Sequence, residues 1–167
     1  MVQSPFQEGA VLLGKYRVER VLGQGGMGIV VAAWHLRLEQ RVAIKILRPE
    51  LIQNHEVVAR FLREARACGA LKHPNIVEMI DVAETDDGDP FMVMELLTGE
   101  TVDAPLKRQR RLDQAQAARI ARDVAQALTA APRTIAEKRG NTRRIKGLRL
   151  VLSDNAERVA RGRRAVG

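Results

Sequence analysis

Cysteine and aromatic residues are scarce in this 167-residue chain, and long apolar runs are missing from it. Cys68 is the only cysteine, which excludes a disulfide within the chain and a cysteine-rich zinc site. No apolar stretch approaches the ~20 residues that a membrane-spanning helix needs, and the first ten residues lack the pattern of a signal peptide. We therefore expect a cytoplasmic protein without a membrane segment.

Acidic residues are too few to balance the basic ones, and the net charge is +8. Residues 133–167 hold 11 basic and 3 acidic side chains, whereas residues 1–132 are neutral overall. A polybasic tail that binds nucleic acid or an anionic membrane is one interpretation. The tail has no aromatic residue on which a base could stack. We therefore expect a solvated, partly disordered tail and no nucleic-acid partner.

Hydrophobic periodicity divides the chain before this tail into strands and helices. The pattern predicts strands at 16–24, 29–35 and 41–47, a helix at 55–71, strands at 76–83 and 90–97, and a helix that begins after Asp113. Short connections favour an antiparallel sheet with one packed helix over a parallel βαβ array. In the last helix we expect Ile120, Val124 and Leu128 to form the buried face.

A glycine cluster, Gly-Gln-Gly-Gly-Met-Gly at 23–28, joins the first two strands. A dinucleotide-binding fingerprint would need a helix directly after it, but Ile29 and Val30 begin a strand-like run. No GxxxxGK[ST] string occurs, which excludes a P-loop. The order strand, glycines, strand favours a flap whose backbone N–H groups approach phosphates. From the glycines alone, a hairpin without any ligand is an equally good interpretation.

Lys45 on the third strand and Glu64 on the helix are the candidate charged pair. Glu64 belongs to the apolar stripe that begins at Phe61. A carboxylate on such a face costs several kcal/mol of desolvation unless it is paired, and Lys45 is the nearest strand cation in sequence. A glutamate that reaches water at the edge of the stripe is the alternative.

These segments, taken in order, resemble the small lobe and hinge of bacterial eukaryotic-like serine/threonine protein kinases. The residues that carry the resemblance are 22–30, 42–45, 61–65, 73–77 and 91–97. The resemblance implies an α+β fold, with a five-stranded antiparallel sheet and one packed helix, followed by a partial helical large lobe. It also implies a division into an N-terminal extension (1–9), an ATP-binding small lobe (10–97), a hinge with the first large-lobe helices (98–132) and a degenerate basic tail (133–167).

The resemblance also implies roles for single residues. Lys45 would contact the α- and β-phosphates of ATP and would be oriented by Glu64. Gly23, Gly25 and Gly28 would form the phosphate flap. The other nucleotide-binding residues of this segment would be Gln24, Gly26, Met27 and Ile29. The adenine would be enclosed by Leu22, Val30 and Ala43, with Met94 at the back and backbone hydrogen bonds from Glu95 and Leu97.

Two strings that such kinases use for catalysis, His-Arg-Asp and Asp-Phe-Gly, are absent from the sequence. We identify no catalytic aspartate in this sequence. We also identify no ligands for the Mg²⁺ that the resemblance implies. A degenerate or frame-disrupted reading of a kinase gene would give this pattern. The resemblance thus predicts a serine/threonine kinase by family, with ATP and a protein substrate, that is incomplete and inactive alone. The alternative is a non-catalytic, pseudokinase-like ATP-binding module.

Overall fold

The computed structural model describes residues 7–130 and 151–152. These residues form two compact units. We call residues 7–72 and 77–96 the sheet unit, and residues 73–76 and 97–130, with 151–152, the helical unit. The predictions of a partly disordered tail and of a degenerate catalytic segment fall outside the described residues, apart from a two-residue strand.

The sheet unit consists of six antiparallel strands and two helices. Its elements are β1 (Val11–Leu12), β2 (Tyr16–Gln24), β3 (Gly28–His35), β4 (Gln40–Leu47), α1 (Pro49–Ile52), α2 (His55–Gly69), β5 (Met79–Glu84) and β6 (Pro90–Glu95). The strand order is β1-β2-β3-β4-β6-β5. The predicted fold is confirmed, and the five expected strands are joined by the short edge strand β1, which pairs with the start of β2.

Strand β4 lies inside the sheet and is apolar on both faces. Side chains alternate along a strand, so Ile44 faces the core that it shares with Tyr16 and Phe91, while Leu47 faces α2. On that second face, Leu47 packs with Phe61 of α2, which is fully buried. The sheet therefore separates two apolar layers, and α2 covers one of them.

Helix α2 begins where the sequence supplies a cap. Asn54 accepts hydrogen bonds from the backbone N–H groups of Glu56 and Val57, which satisfies two of the donors left open at a helix start. The helix ends at Gly69, two residues before the predicted end at position 71, and the proline at position 74 lies beyond it. Its apolar stripe, centred on Phe61 and Ala65, fixes which face meets the sheet.

Two strand boundaries differ from the sequence prediction by more than one residue. Strand β5 begins at Met79 rather than at position 76, because the N–H of Ile76 donates to the carbonyl of His73 in a turn. Strand β6 ends at Glu95 rather than at position 97. In both places a run of apolar residues continues beyond the hydrogen-bonded ladder, and apolar character alone does not mark a strand end.

The helical unit contains β7 (Glu100–Thr101), α3 (Asp103–Gln109), α4 (Gln114–Ala130) and β8 (Val151–Leu152), and β7 pairs with β8. The predicted cap of α4 is confirmed, since Asp113 accepts from the N–H of Gln116 and the Gln116 side chain accepts from the N–H of Asp113. The predicted burial of Leu128 is wrong: its side chain is 44% exposed, and Ala127 is the buried residue of α4. In the part of the chain described here, no helix has the length and apolarity to cross a membrane.

Candidate functional site

Lys45 and Glu64 form an ion pair between β4 and α2. The Nζ atom of Lys45 donates to Oε1 of Glu64 at 2.9 Å, and 22% and 25% of the two side chains are exposed. The Lys45 ammonium also lies 5.5 Å from the centre of the Phe61 ring, within the range of a cation–π contact. The lysine is thus held by two groups of α2 and still reaches solvent.

Strand register places Lys45 in line with the glycine cluster. Gly23 of β2 lies opposite Val30 of β3, Val30 lies opposite Lys45, and Lys45 lies opposite Met92 of β6. Residues directly opposite one another share a face, with Cβ atoms about 5 Å apart. The row of Gly23, Val30 and Lys45 therefore forms one continuous surface across three strands.

A second row on the same face is apolar. Ala43 of β4 lies opposite Met94 of β6 and opposite Ala32 of β3. Ala43 and Ala32 are buried, and Met94 is half-buried. The charged row and this apolar row are adjacent, because Ala43 and Lys45 are two residues apart on one strand.

The glycine turn closes with a hydrogen bond from the N–H of Gly25 to the carbonyl of Gly28 at 2.9 Å. Gly28 is required by packing, since a Cβ atom there would lie 2.0 Å from the carbonyl oxygen of Ile46. Gly23 and Gly26 have nothing within 4 Å of such an atom, and Gly25 has only the Gly28 oxygen at 4.0 Å. Strand β3 starts at Gly28, which contradicts the helix that a dinucleotide fingerprint needs.

The remaining predicted contact residues fall into five places. Leu22 and Gln24 lie in β2, Met27 in the turn, Ile29 in β3, Glu95 at the end of β6, and Leu97 in the helical unit. The sheet unit thus brings together the predicted residues from Leu22 to Glu95. Their roles in binding, and the part of Leu97, stay predictions.

Three interactions near these residues had no sequence signal. The Phe61 ring beneath Lys45 was predicted only as core. Glu78 bonds to Glu95 through its N–H and its carbonyl. Asp81 is half-buried, and its Oδ2 accepts a hydrogen bond from the Tyr16 hydroxyl at 3.4 Å. These contacts join residues that lie 16 to 65 positions apart, which no local pattern reports.

Cys68 lies one helical turn after Glu64. Partial burial raises the pKa of its thiol, and the negative charge of Glu64 raises that pKa further, while Lys45 lowers it. The thiolate form of Cys68 is therefore disfavoured at neutral pH.

The described residues contain no cluster of metal-ligating side chains. Within 7–130, no group of three or more His, Cys, Asp or Glu side chains is arranged to hold one. Mg²⁺ prefers carboxylate oxygens, and the carboxylate nearest the glycine row, that of Glu64, is bonded to Lys45. The described residues do not fit a Mg²⁺ site, and we derive no step that depends on one.

Comparison with known proteins gives one family match. A family model described as "Protein kinase domain" matches residues 16–131. This range contains the glycine turn, the Lys45–Glu64 pair and helix α4. It covers well over half of the chain.

Individual relatives and structures agree with this match. The chain is 39% identical over 121 residues to serine/threonine-protein kinase pkn3 of Myxococcus xanthus, covering 72% of this chain and 22% of the relative. It is 41% identical over 108 residues to serine/threonine-protein kinase PknA of Mycobacterium tuberculosis, covering 62% of this chain and 25% of the relative. The crystal structure of the Mycobacterium tuberculosis PknI kinase domain superposes with a TM-score of 0.68 at 28% identity, covering 88% of this chain and 58% of that one. The chain thus spans a quarter or less of the length of these two curated relatives.

Proposed function

This chain belongs to the protein kinase family, and on that premise we propose that the sheet unit binds ATP through Lys45 and the glycine turn. The observation that carries the proposal is the 2.9 Å ion pair between Lys45 and Glu64, in register with Gly23 across two strand pairs. A partly exposed ammonium group held in one position is suited to an anionic ligand beside that row.

The glycines support the same proposal. Within the cluster at 23–28, only Gly28 is required by packing, whereas a side chain at Gly23 or Gly26 would meet open space. Glycine in a strand or turn weakens the structure, so glycines that packing does not require suggest a close approach of something else. Backbone N–H groups without neighbouring side chains are the groups that approach phosphates in glycine-rich loops.

The apolar row supports the assignment of the base. Val30 and Ala43 lie on the face of Lys45, next to the half-buried Met94. A flat purine ring fits between small aliphatic side chains, which remove it from water. We propose that Leu22, Val30 and Ala43 enclose the adenine and that Met94 lies behind it.

At the family level, we propose that the chain carries the nucleotide-binding part of a protein serine/threonine kinase. Such an enzyme transfers the γ-phosphoryl group of ATP to a hydroxyl of a protein substrate. We also propose that this chain alone has negligible turnover, because its sequence contains neither His-Arg-Asp nor Asp-Phe-Gly. The cytoplasmic location stays a prediction from sequence.

Nucleotide affinity tests the binding proposal. We would titrate the full chain with a fluorescent ATP analogue, compete it with ATP, and compare Lys45→Ala with Lys72→Ala, an exposed lysine of the same unit. We expect Lys45→Ala to weaken binding at least about tenfold, the loss of one charge-assisted contact, and Lys72→Ala to leave it unchanged. Equal binding by the two variants, or no binding by the wild type, would contradict the proposal.

A non-catalytic, pseudokinase-like ATP-binding module is the second candidate, favoured by a sequence that keeps the glycine cluster, Lys45 and Glu64 but contains neither His-Arg-Asp nor Asp-Phe-Gly. Radiolabelled ATP with a generic basic protein as acceptor separates the two candidates. We expect no transfer above background. Transfer that Lys45→Met abolishes would show a working kinase and overturn the proposal of negligible turnover.

A further inference from the structure

The glycine turn is attached to the end of β4, the strand that carries Lys45. The N–H of Arg48, the residue that follows β4, donates to the carbonyl of Met27 in the turn at 3.3 Å. This bond continues the ladder between β3 and β4 by one pair beyond Gly28 and Leu47. We call it the Arg48–Met27 latch.

Close packing supports the latch on one side of the turn. Gly28, next to Met27, lies so near β4 that a Cβ atom on it would be 2.0 Å from the carbonyl oxygen of Ile46. On the other side, the register of β2 against β3 shifts between Val21 and Gly23, just before the turn. The position of the turn is therefore set from β4 more than from β2.

The latch also orients one peptide group of the turn. The carbonyl of Met27 points toward β4, and in a trans peptide the N–H of the next residue points the opposite way. The N–H of Gly28 therefore points away from β4, to the side on which the Gly28 carbonyl accepts from the N–H of Gly25. Without the latch, the bond from Gly25 still closes the turn, but the peptide group between Met27 and Gly28 is free to rotate.

Resting on the proposed function, we propose that Arg48 is a positioning residue for the triphosphate: through the latch, its main-chain N–H holds the glycine turn at a fixed distance from the Lys45 ammonium. A triphosphate has to meet the N–H groups of the turn and the lysine at the same time. Hydrogen bonds weaken steeply when their angle departs from linearity, so a turn that drifts away from Lys45 loses part of these contacts. The side chain of Arg48 need not contact the nucleotide.

Hydrogen exchange in the ligand-free wild type tests the latch without any substitution. Each amide rate is divided by the rate of the same amide in an unstructured peptide. The Arg48 amide should then be protected at least about tenfold more than the Gly26 amide, whose N–H makes no hydrogen bond within the described residues. Equal protection of the two amides would show that the latch does not form and would overturn the inference, whether or not the protein binds ATP.

Proline at position 48 removes the donor with little change to the backbone. Arg48 has φ −68° and ψ 143°, which are values that proline adopts, and proline has no N–H. Leu47 before it lies in a strand, the conformation that a residue before proline prefers. Arg48→Ala is the matched control, because it removes the side chain and keeps the N–H.

A pair of ligands separates the phosphates from the base. We would measure the affinity of the full chain for ATP and for adenosine, which has no phosphate, by competition with a fluorescent analogue, and check the folding of each variant by urea unfolding. Arg48→Pro should bind ATP about fivefold more weakly and adenosine within about twofold of the wild type, because the turn meets the phosphates alone. Arg48→Ala should bind both ligands as the wild type does.

Three results in a folded Arg48→Pro protein would overturn the inference and leave ATP binding in place. They are an unchanged affinity for ATP, an equal loss for ATP and adenosine, and a loss for ATP that Arg48→Ala shows as well, which would assign the effect to the side chain. If Arg48→Pro does not fold, the exchange rate of the Arg48 amide in the wild type decides. A wild type that binds neither ligand would overturn the proposed function, and this inference with it.

Discussion

The sheet unit and the described part of the helical unit differ in how they bury apolar side chains. All eleven large side chains that are fully buried belong to the sheet unit. In residues 97–130, only Pro105 and Ala127 are buried. The candidate site lies in the densely packed unit, so its geometry is set by contacts within that unit.

Composition explains much of this difference. The sheet unit has β-branched and large aliphatic residues at alternate positions, which fill both faces of β4. Helix α4 has seven alanines among its 17 residues. Alanine is the best helix former but buries little area, so α4 is held by its intrinsic helix preference and its cap more than by packing. The experiments below test this contrast, from the largest expected effect to the smallest.

Truncating one apolar side chain in each unit is the strongest test. Phe61→Ala should reduce the free energy of unfolding by about 3–5 kcal/mol, because Phe61 is fully buried between α2 and the sheet. Leu128→Ala, on the exposed side of α4, should change it by less than about 1 kcal/mol. Urea unfolding of both variants measures the two values. Similar losses would show that the units are packed alike and would remove the contrast.

Two glycines separate packing from ligand access inside the sheet unit. Gly28→Ala should cost about 1–3 kcal/mol, because its Cβ would meet the backbone oxygen of Ile46, which cannot rotate away. Gly26→Ala should leave stability within about 1 kcal/mol, since nothing lies within 4 Å of the added atom. Thermal unfolding gives the stabilities, and titration with the fluorescent ATP analogue shows whether Gly26→Ala weakens nucleotide binding. Equal stability of the two variants would contradict the assignment of Gly28 to packing.

The fold of the sheet unit could be predicted from sequence because its signals are local. Alternation located β2 to β4, the stripe from Phe61 located α2, and the pair of Asp113 and Gln116 located the start of α4. The wrong prediction for Leu128 has a physical cause. Leu128 continues the helical stripe of α4 and still lies exposed, because burial depends on what packs against the stripe.

In the candidate site, the charged pair of Lys45 and Glu64 was the part that the residues themselves made predictable. A carboxylate in an apolar stripe favours a partner, and Lys45 was the nearest strand cation. The family resemblance predicted the same pair and so decided against a glutamate that reaches water. The two hydrogen bonds between Glu78 and Glu95 could not be foreseen, since a side chain that bonds to a backbone N–H leaves no pattern in sequence. The bond between Tyr16 and Asp81 likewise joins β2 to β5, which are far apart in the strand order.

The pKa of the Cys68 thiol depends on the charges of Glu64 and Lys45. Burial and the Glu64 charge raise the pKa of the thiol, while Lys45 lowers it. Glu64→Gln removes the negative charge and keeps the size, so the thiol pKa should fall and alkylation by iodoacetamide at pH 7.5 should become about two- to fivefold faster. The rate is followed by mass spectrometry, with Glu56→Gln, an exposed position in the first turn of α2, as control. Slower alkylation, or an equal change in both variants, would mean that Glu64 does not set the charge around Cys68.

The smallest effect is a dependence of stability on alkaline pH. Burial raises the pKa of Tyr16 above its ordinary value of 10.0, and the carboxylate of Asp81 raises it further. The folded state then holds this proton where the unfolded state has lost it, so stability is complete below about pH 10 and falls as the pH rises through the folded-state pKa. Tyr16→Phe should cost no more than about 1 kcal/mol at pH 7, where only a long hydrogen bond is lost. Between pH 9 and pH 11 its urea midpoint should fall less than that of the wild type. Parallel curves would show that the pKa of Tyr16 is the same in the folded and unfolded states. Dense packing would then not raise that pKa.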